Sequence, residues 1–443
     1  MRAILASLIL FGAAAAQEVP NPETPEILTL REQAALTDAW LEKRLDTVVP
    51  DVMRRHGVDM WVLIAREYNE DPVVETMLPA TWLAARRRTV LVFFDDGERV
   101  ERLAVARYPV GSAFPAAWSP EEEPDQWARL VQIIEERDPK VIAVNGSKEF
   151  ALASGLSRQQ YKDFRAALPR KYRGRLQETE DLAIGWLETR LPEEIAQYET
   201  AVRIAHSIIA EAFSEKVITP GETTTDDVVW WTRQKTNALG LTNWFHTSVS
   251  IARAEVEESP LWAAAKKQDK IIQPGDLLHI DFGITYLGLN TDTQHHAYVL
   301  KPGETDAPAG LKAGLAAANR VQDIQLAEMI AGRTSNEILT ATREKALAEG
   351  LKPSLYSHPI GFHGHAAGSP IGWWDDQSYD HPKGYRALRP NTAWSIELNA
   401  TAPVPEWGGQ EVVFKTEEDA FFDGESVRYL DGRQVELQLV GRE

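Results

Sequence analysis

Acids inside an apolar hairpin restrict a fold more than any propensity does, and residues 279–292, HIDFGITYLGLNTD, carry two. Leu277, Ile280, Phe282, Ile284, Leu287 and Leu289, broken by Gly283 and Gly288, pattern as two short strands around a tight turn. With Tyr286-Leu287 at the turn, Asp281 is expected directly across from Asp292, their Cβ atoms about 5 Å apart. Two ionised carboxylates there would repel each other and forfeit hydration. The arrangement therefore requires a shared proton or a bound cation.

At 443 residues, with 44% hydrophobic and 26% charged, the chain is too long for one ordinary domain but normal in composition. Two domains are expected. The formal net charge of −19 argues against nucleic acid or an anionic membrane surface as partner, since both need a basic face. Bound divalent metal would neutralise part of it. The opening MRAILASLILFGAAAAQ sets Arg2 before an apolar run from Ala3 to Phe11 and an Ala14-x-Ala16 exit, the pattern of a secretory signal cleaved after Ala16. No later segment approaches the roughly 18 uninterrupted apolar residues of a membrane span. The absence of cysteine excludes disulfide staples and a lipid-modified N-terminal cysteine. A soluble, secreted protein is expected, with a periplasmic address and no membrane attachment after signal cleavage.

After a leader with Pro20, Pro22 and Pro25, Leu41, Leu45, Val49 and Met53 recur at helical spacing within 30–56. A strand at MWVLIA follows, then a hairpin in RRTVLVFFDDGERVERLAVARY with Asp96-Gly97 at its turn, a helix in DQWARLVQIIEERD and a strand in KVIAVNG. This α/β unit has no phosphate-cradling glycine loop and no nucleophile motif, and reads as a scaffold or oligomerisation domain. A new helix opens at LPEEIAQYETAVRIAHSIIAEAF, with Pro192 in its first turn and Glu193 and Glu194 at the positive end of its dipole. Helices near 225–239, 309–331 and 335–349 then alternate with strand pairs near 277–299, 392–402 and 411–422. No repeat is visible.

Acids also interrupt the strand-like stretches PNTAWSIELN, at Glu397, and VVFKTEEDAFF, at Glu417, Glu418 and Asp419. The glycine-rich SHPIGFHGHAAGSPIGWWD supplies His358, His363 and His365, with Gly361 and Gly364 expected to let the chain turn tightly. Taken singly, each has an ordinary reading: a satisfied core acid, a solvated turn, a buried hydrogen-bonding histidine. Together, four carboxylates and one imidazole form a hard, oxygen-rich set suited to two divalent ions.

In this order the residues resemble the pita-bread metallopeptidases, which include aminopeptidase P, prolidase and methionine aminopeptidase. The resemblance rests on Asp281-Phe282-Gly283 with Asp292 eleven positions on, His358 followed by Gly361 and His365, Pro390 through Ile396-Glu397, and Lys415 two before Glu417. It covers most of residues 30–425, because the N-terminal unit and the helix at RLPEEI also look like aminopeptidase P, prolidase and creatinase. A secreted bacterial Xaa-Pro aminopeptidase is the nearest match in kind. The resemblance implies an α+β chain: a signal peptide at 1–16, a creatinase-like α/β domain at 26–178, and a catalytic domain of duplicated αββ units at 185–430. It implies two divalent ions, manganese first, with zinc or cobalt compatible. Asp281 would hold one ion, His358 and Glu397 the other, and Asp292 and Glu417 both. A hydroxide between the ions would attack the scissile peptide carbonyl, with Glu397 handling the proton, His365 stabilising the tetrahedral intermediate and Lys415 as the basic residue of the catalytic set. A peptide substrate and a homo-oligomer, dimer or tetramer, are implied as well.

The chain departs from the family pattern at Gln294 and His295, where Thr-Arg is usual, at Leu398-Asn399, where Pro-Gly is usual, and at Lys415, where Arg is usual. LWAAAKKQDK stands where a substrate-side histidine is expected, with His246 and Trp262 as candidate replacements. The ligand positions are intact; the departures leave proline specificity open. Prolidase-type dipeptide cleavage is the near alternative, and a metal-free creatinase-like hydrolase or non-catalytic binding protein the distant one. A rival alignment makes His365 the ligand, since Gly368 follows it by three, but Gly372 then stands where a histidine belongs.

Overall fold

The computed structural model describes residues 24–255, 270–365 and 367–441. The expected signal peptide and Trp262 lie outside the described residues.

Helix α1 (Leu30–Arg55) begins at Thr29, whose hydroxyl accepts from the Glu32 N–H while the Glu32 carboxylate accepts from the Thr29 N–H, a capping box. Strands β1 (Met60–Arg66), β2 (Arg88–Asp95), β3 (Val100–Val105), β4 (Ile142–Asn145) and β5 (Leu176–Thr179) form a mixed sheet in the order β3-β2-β1-β4-β5. Its connections carry α2 (Pro72–Glu75), α3 (Gln126–Arg137), α4 (Arg158–Ala167) and α5 (Arg170–Arg173), and α6 (Asp181–Glu188) follows. The run MWVLIA is unbroken because a central strand is covered on both faces. Trp61 and Leu63 join Leu45, Val52 and Trp186 of α1 and α6; Met60, Val62 and Ile64 join Ile133 of α3 and Phe164 of α4. The wholly buried Arg44 of α1 donates to both carboxylate oxygens of Glu194, at 3.1 and 3.0 Å, linking this unit to the next helix.

That helix, α7 (Pro192–Ala212), has Pro192 in its first turn. It is followed by α8 (Thr225–Ala238), β6 (Ser248–Ala252), β7 (Leu277–Phe282), β8 (Thr285–Tyr286), β9 (Leu289–Asn290) and β10 (Thr293–Val299). Then come α9 (Ala309–Glu328), α10 (Ser335–Ala348), β11 (Pro353–Leu355), β12 (His358–Ile360), β13 (Thr392–Ser395), β14 (Leu398–Val404), β15 (Gln410–Thr416), β16 (Asp419–Phe422), β17 (Val427–Tyr429) and β18 (Gln438–Val440). The sheets run β18-β10-β7-β6, β11-β14-β15 and β12-β13-β16-β17, with β8-β9 a small ribbon. Helix α7 packs Val202 and Ile208 on Leu278 and Ile280, and α9 packs Leu311 and Leu315 on Leu398 and Phe414. The repeat hidden in the sequence is visible in the helices. Both α8 and α10 open on threonine capping boxes, at Thr224 and Thr334, and end before glycines at positive φ, Gly240 (73°) and Gly350 (80°).

The hairpin register differs from expectation. The turn is Leu287-Gly288, both at positive φ (54° and 74°), because a two-residue turn matching strand twist needs left-handed backbone at both central positions. Asp281 therefore faces Gln294, not Asp292. A shift of two residues preserves the face, so both acids still point the same way.

Candidate metal centre

Three stretches of the second unit bring the acids together. The hairpin supplies Asp281 at the end of β7 and Asp292 just before β10. Strands β13-β14 and β15-β16 pair in one continuous register, which sets Glu397 opposite Glu417. An antiparallel bridge between Gln294 and Glu417 joins the two assemblies, and β12 adds His358, opposite Ser395. The five expected ligands fall among the described residues into two groups within 4.8 Å, one of Asp281, Asp292 and Glu417, the other of His358, Glu397 and Glu417. Glu417 belongs to both.

The polar atoms at the centre fit a cation. His358 is completely buried, and its Nδ1 lies 3.1 Å from the Pro359 carbonyl, which can only accept. In the neutral ring this contact puts the proton on Nδ1 and leaves the Nε2 lone pair free. Nε2 faces Asp292 Oδ2 and Glu417 Oε1, each at 3.7 Å, and Glu397 Oε2 at 4.0 Å, with no hydrogen-bond partner. Asp292 Oδ1 is likewise buried and unpartnered. Burial, reinforced by the Glu417 charge, pushes Asp281 up to about 8 and holds Asp292 and Glu397 well above the usual carboxylate range; the Lys415 charge offsets the shifts of Asp281 and Glu397. Dications would reverse these shifts.

The glycines act through close approach. A Cβ on Gly283 would lie 2.3 Å from the Thr291 carbonyl oxygen and 2.4 Å from Trp244 Nε1, and one on Gly364 would lie 2.4 Å from the Trp244 ring. The chain bends through residues 361–365, but Gly361 and Gly364 are not at positive φ. Trp244, which the sequence gave no reason to single out, wedges the hairpin against the histidine loop and donates to the Thr291 carbonyl at 2.7 Å. His365 stands edge-on to Trp244 (5.0 Å) and to His358 (5.1 Å). Desolvation there, then the neighbouring His358, lowers its imidazole to about 4. It shares a ligand-distance group with Asp292 and His358 but not with Glu397 or Glu417. His363 joins none of the groups. His246 is exposed and bonded to Arg233 at 2.9 Å, so it is not gathered with the acids.

Both departures on β10 have work to do. Gln294 Nε2 donates to Glu397 Oε1 at 2.9 Å and to Glu417 Oε2 at 2.6 Å, while its Oε1 is 2.8 Å from His279 Nε2. Ser395 Oγ donates to the other Glu417 oxygen. His295 bonds Glu418 Oε1 at 2.9 Å; His206 bonds Glu418 Oε2 and Asp431 Oδ2, each at 3.0 Å. The 417–419 acids are buried, so their solvated-turn reading fails. Asp419 Oδ2 accepts from the Asp292 N–H at 3.1 Å. His206, His295 and Glu418 also meet the ligand-distance criterion, but both His206 nitrogens are taken by carboxylates. Burial opposes its charge, yet Glu418 and Asp431 raise His206 to about 9. This is a hydrogen-bonded ionic network beneath the centre, not a second site.

The family description "Metallopeptidase family M24" matches residues 196–429. No curated protein matches. Among solved structures, the chain is similar to an X-Pro aminopeptidase from Thermotoga maritima, with 17% identity over 88% of this chain and 100% of that one and a TM-score of 0.61. It is similar to an Xaa-Pro dipeptidase from Bacillus anthracis at 16% identity, 93% and 100% coverage and a TM-score of 0.57. Aminopeptidase P from E. coli, solved with the inhibitor Pro-Leu, gives 15% identity, 92% and 95% coverage and a TM-score of 0.53.

Proposed function

The chain belongs to metallopeptidase family M24, and on that premise we propose that it is a metal-dependent exopeptidase that removes an N-terminal residue preceding proline. Asp281, Asp292, His358, Glu397 and Glu417 would hold two divalent ions. The observation that carries this reading is the buried, unpartnered His358 Nε2 facing three carboxylates, one of which, Glu417, belongs to both ligand groups. Manganese suits a set of four carboxylates and one imidazole without thiolate.

Bound ions would acidify a water at neutral pH and polarise the scissile carbonyl. The chain's own groups do the rest. Glu397 is placed to move a proton, its side chain being 24% exposed where His358 is 0% and Glu417 1%. Gln294 fixes Glu397 Oε1 and leaves Oε2 toward His358. His365, on the exposed side of His358, would donate to the carbonyl oxygen as charge develops on it. Lys415, on the same strand face as Glu417, would steady the Asp281 carboxylate.

A tripeptide with proline second, assayed beside the matching dipeptide and a proline-free tripeptide with manganese present, tests the proposal. Release of the N-terminal residue from the proline tripeptide is expected. Hydrolysis of the dipeptide alone would replace this reading with the prolidase one, which the 16%-identical Xaa-Pro dipeptidase keeps in view.

A further inference from the structure

The first unit has a cleft of its own. Its volume is about 1140 Å³, and no lining residue belongs to the metal centre. Its wall is built from like charges. Arg66 at the end of β1 lies directly opposite Arg88 at the start of β2, an arrangement that costs stability when nothing lies between the two guanidinium groups. Arg86 and Arg87 precede Arg88 in the chain, and Arg107 extends the group from beyond β3. Among these five, Arg107 is paired, with Glu121 at 3.1 Å. The described residues place no carboxylate at ion-pair distance from the side chains of Arg66, Arg86, Arg87 or Arg88, in a chain whose net charge is −19. The acid in the lining, Glu67, accepts from the Arg87 backbone N–H instead.

Two of the guanidinium groups are also held in place. Arg88 stacks on Trp127 at 4.4 Å and Arg86 on Trp82 at 4.8 Å, which orients planar forks before any anion arrives. Trp82 and Trp118 give the cleft flat apolar walls. A separate observation points to an occupant. Gln160 lines the cleft, is only 5% exposed, and its buried Oε1 has no hydrogen-bond partner. A buried acceptor left unpaired is costly. A ligand that brings both negative charge and a donor would satisfy Gln160 and separate Arg66 from Arg88 together.

We propose that this cleft binds a small organic polyanion: a molecule with at least two phosphate or carboxylate groups on a scaffold that offers a hydroxyl or amine donor to Gln160. Arginine forks match either oxyanion, so the two sources share one chemistry.

Titration calorimetry on the full, metal-loaded chain at low ionic strength separates them, with fructose bisphosphate as the hydroxylated phosphate probe and tartrate as the hydroxylated carboxylate probe. One saturable site for at least one probe is expected. The exposed pair Arg86→Gln/Arg87→Gln, which carries little folding risk, and the pair Arg66→Gln/Arg88→Gln should each weaken it about tenfold or more, the loss expected for a charged hydrogen bond. Gln160→Leu should weaken whichever probe binds. The proposal is overturned if neither probe binds saturably up to roughly 1 mM. It is equally overturned if affinity survives both arginine pairs, because capture by the metal centre would be indifferent to them.

Discussion

Replacing Gln294 with methionine keeps the length of a buried side chain, 4% exposed, and deletes its hydrogen bonds. Three contacts go: 2.9 Å to Glu397, 2.6 Å to Glu417 and 2.8 Å to His279. The first two end on carboxylates that would hold metal, and a hydrogen bond to a charged group contributes about 1.5–3 kcal/mol. In the metal-loaded protein their role is to aim one oxygen of each glutamate inward. Loss of such support lowers metal affinity by about 10–100-fold, or about 1.4–2.7 kcal/mol, roughly one charged hydrogen bond. Competition against a chromophoric chelator gives the dissociation constant for wild type and Gln294→Met side by side. Unfolding of the metal-free proteins supplies the control, since an orphaned His279 donor should cost about 1–3 kcal/mol there. Wild-type metal affinity in Gln294→Met would refute the reasoning that Gln294 organises the ligands.

Other outcomes follow from the same geometry. His358→Ala should lose metal, whereas His365→Ala should keep it and lose about 10²-fold in turnover; metal loss in His365→Ala with retention in His358→Ala would reverse the assignment. His206, raised from 6.5 to about 9, gives stability that is complete below pH 6.5 and lost as pH climbs through 9, about 3 kcal/mol in all. The unfolding free-energy gap between wild type and His206→Gln should shrink across that window, and a gap unchanged from pH 6 to 9 would count against a charged His206. Gly283→Ala drives a methyl group to 2.3 Å from the Thr291 carbonyl oxygen, so its thermal midpoint should fall by the equivalent of about 1–3 kcal/mol or more. A midpoint matching wild type would mean the hairpin yields there.

The acids and His358 were legible because charge inside an apolar pattern is costly wherever the chain goes. Alternation fixed which face of the hairpin Asp281 and Asp292 share, but it is blind to a slip of two residues. Gly288, at φ 74°, carried the signal for the true turn. Gln294 and His295 read only as departures, because the partners that explain them, Glu397, Glu417 and Glu418, lie 103 and 123 residues away along the chain. Trp244 was hidden for a related reason: its role is to fill the space two distant glycines leave. The helix repeat escaped because its two copies share caps and buried positions, Val228 with Ile338 and Thr232 with Thr342, rather than a run of identical residues.

The most direct test is elemental analysis of the purified chain after reconstitution with manganese, beside Glu417→Ala. Two ions per wild-type chain are expected, with both positions weakened in the variant, because Glu417 joins the group of Asp281 and Asp292 to that of His358 and Glu397. A wild-type chain that retains no divalent ion, or a Glu417→Ala chain that keeps two, would contradict the account.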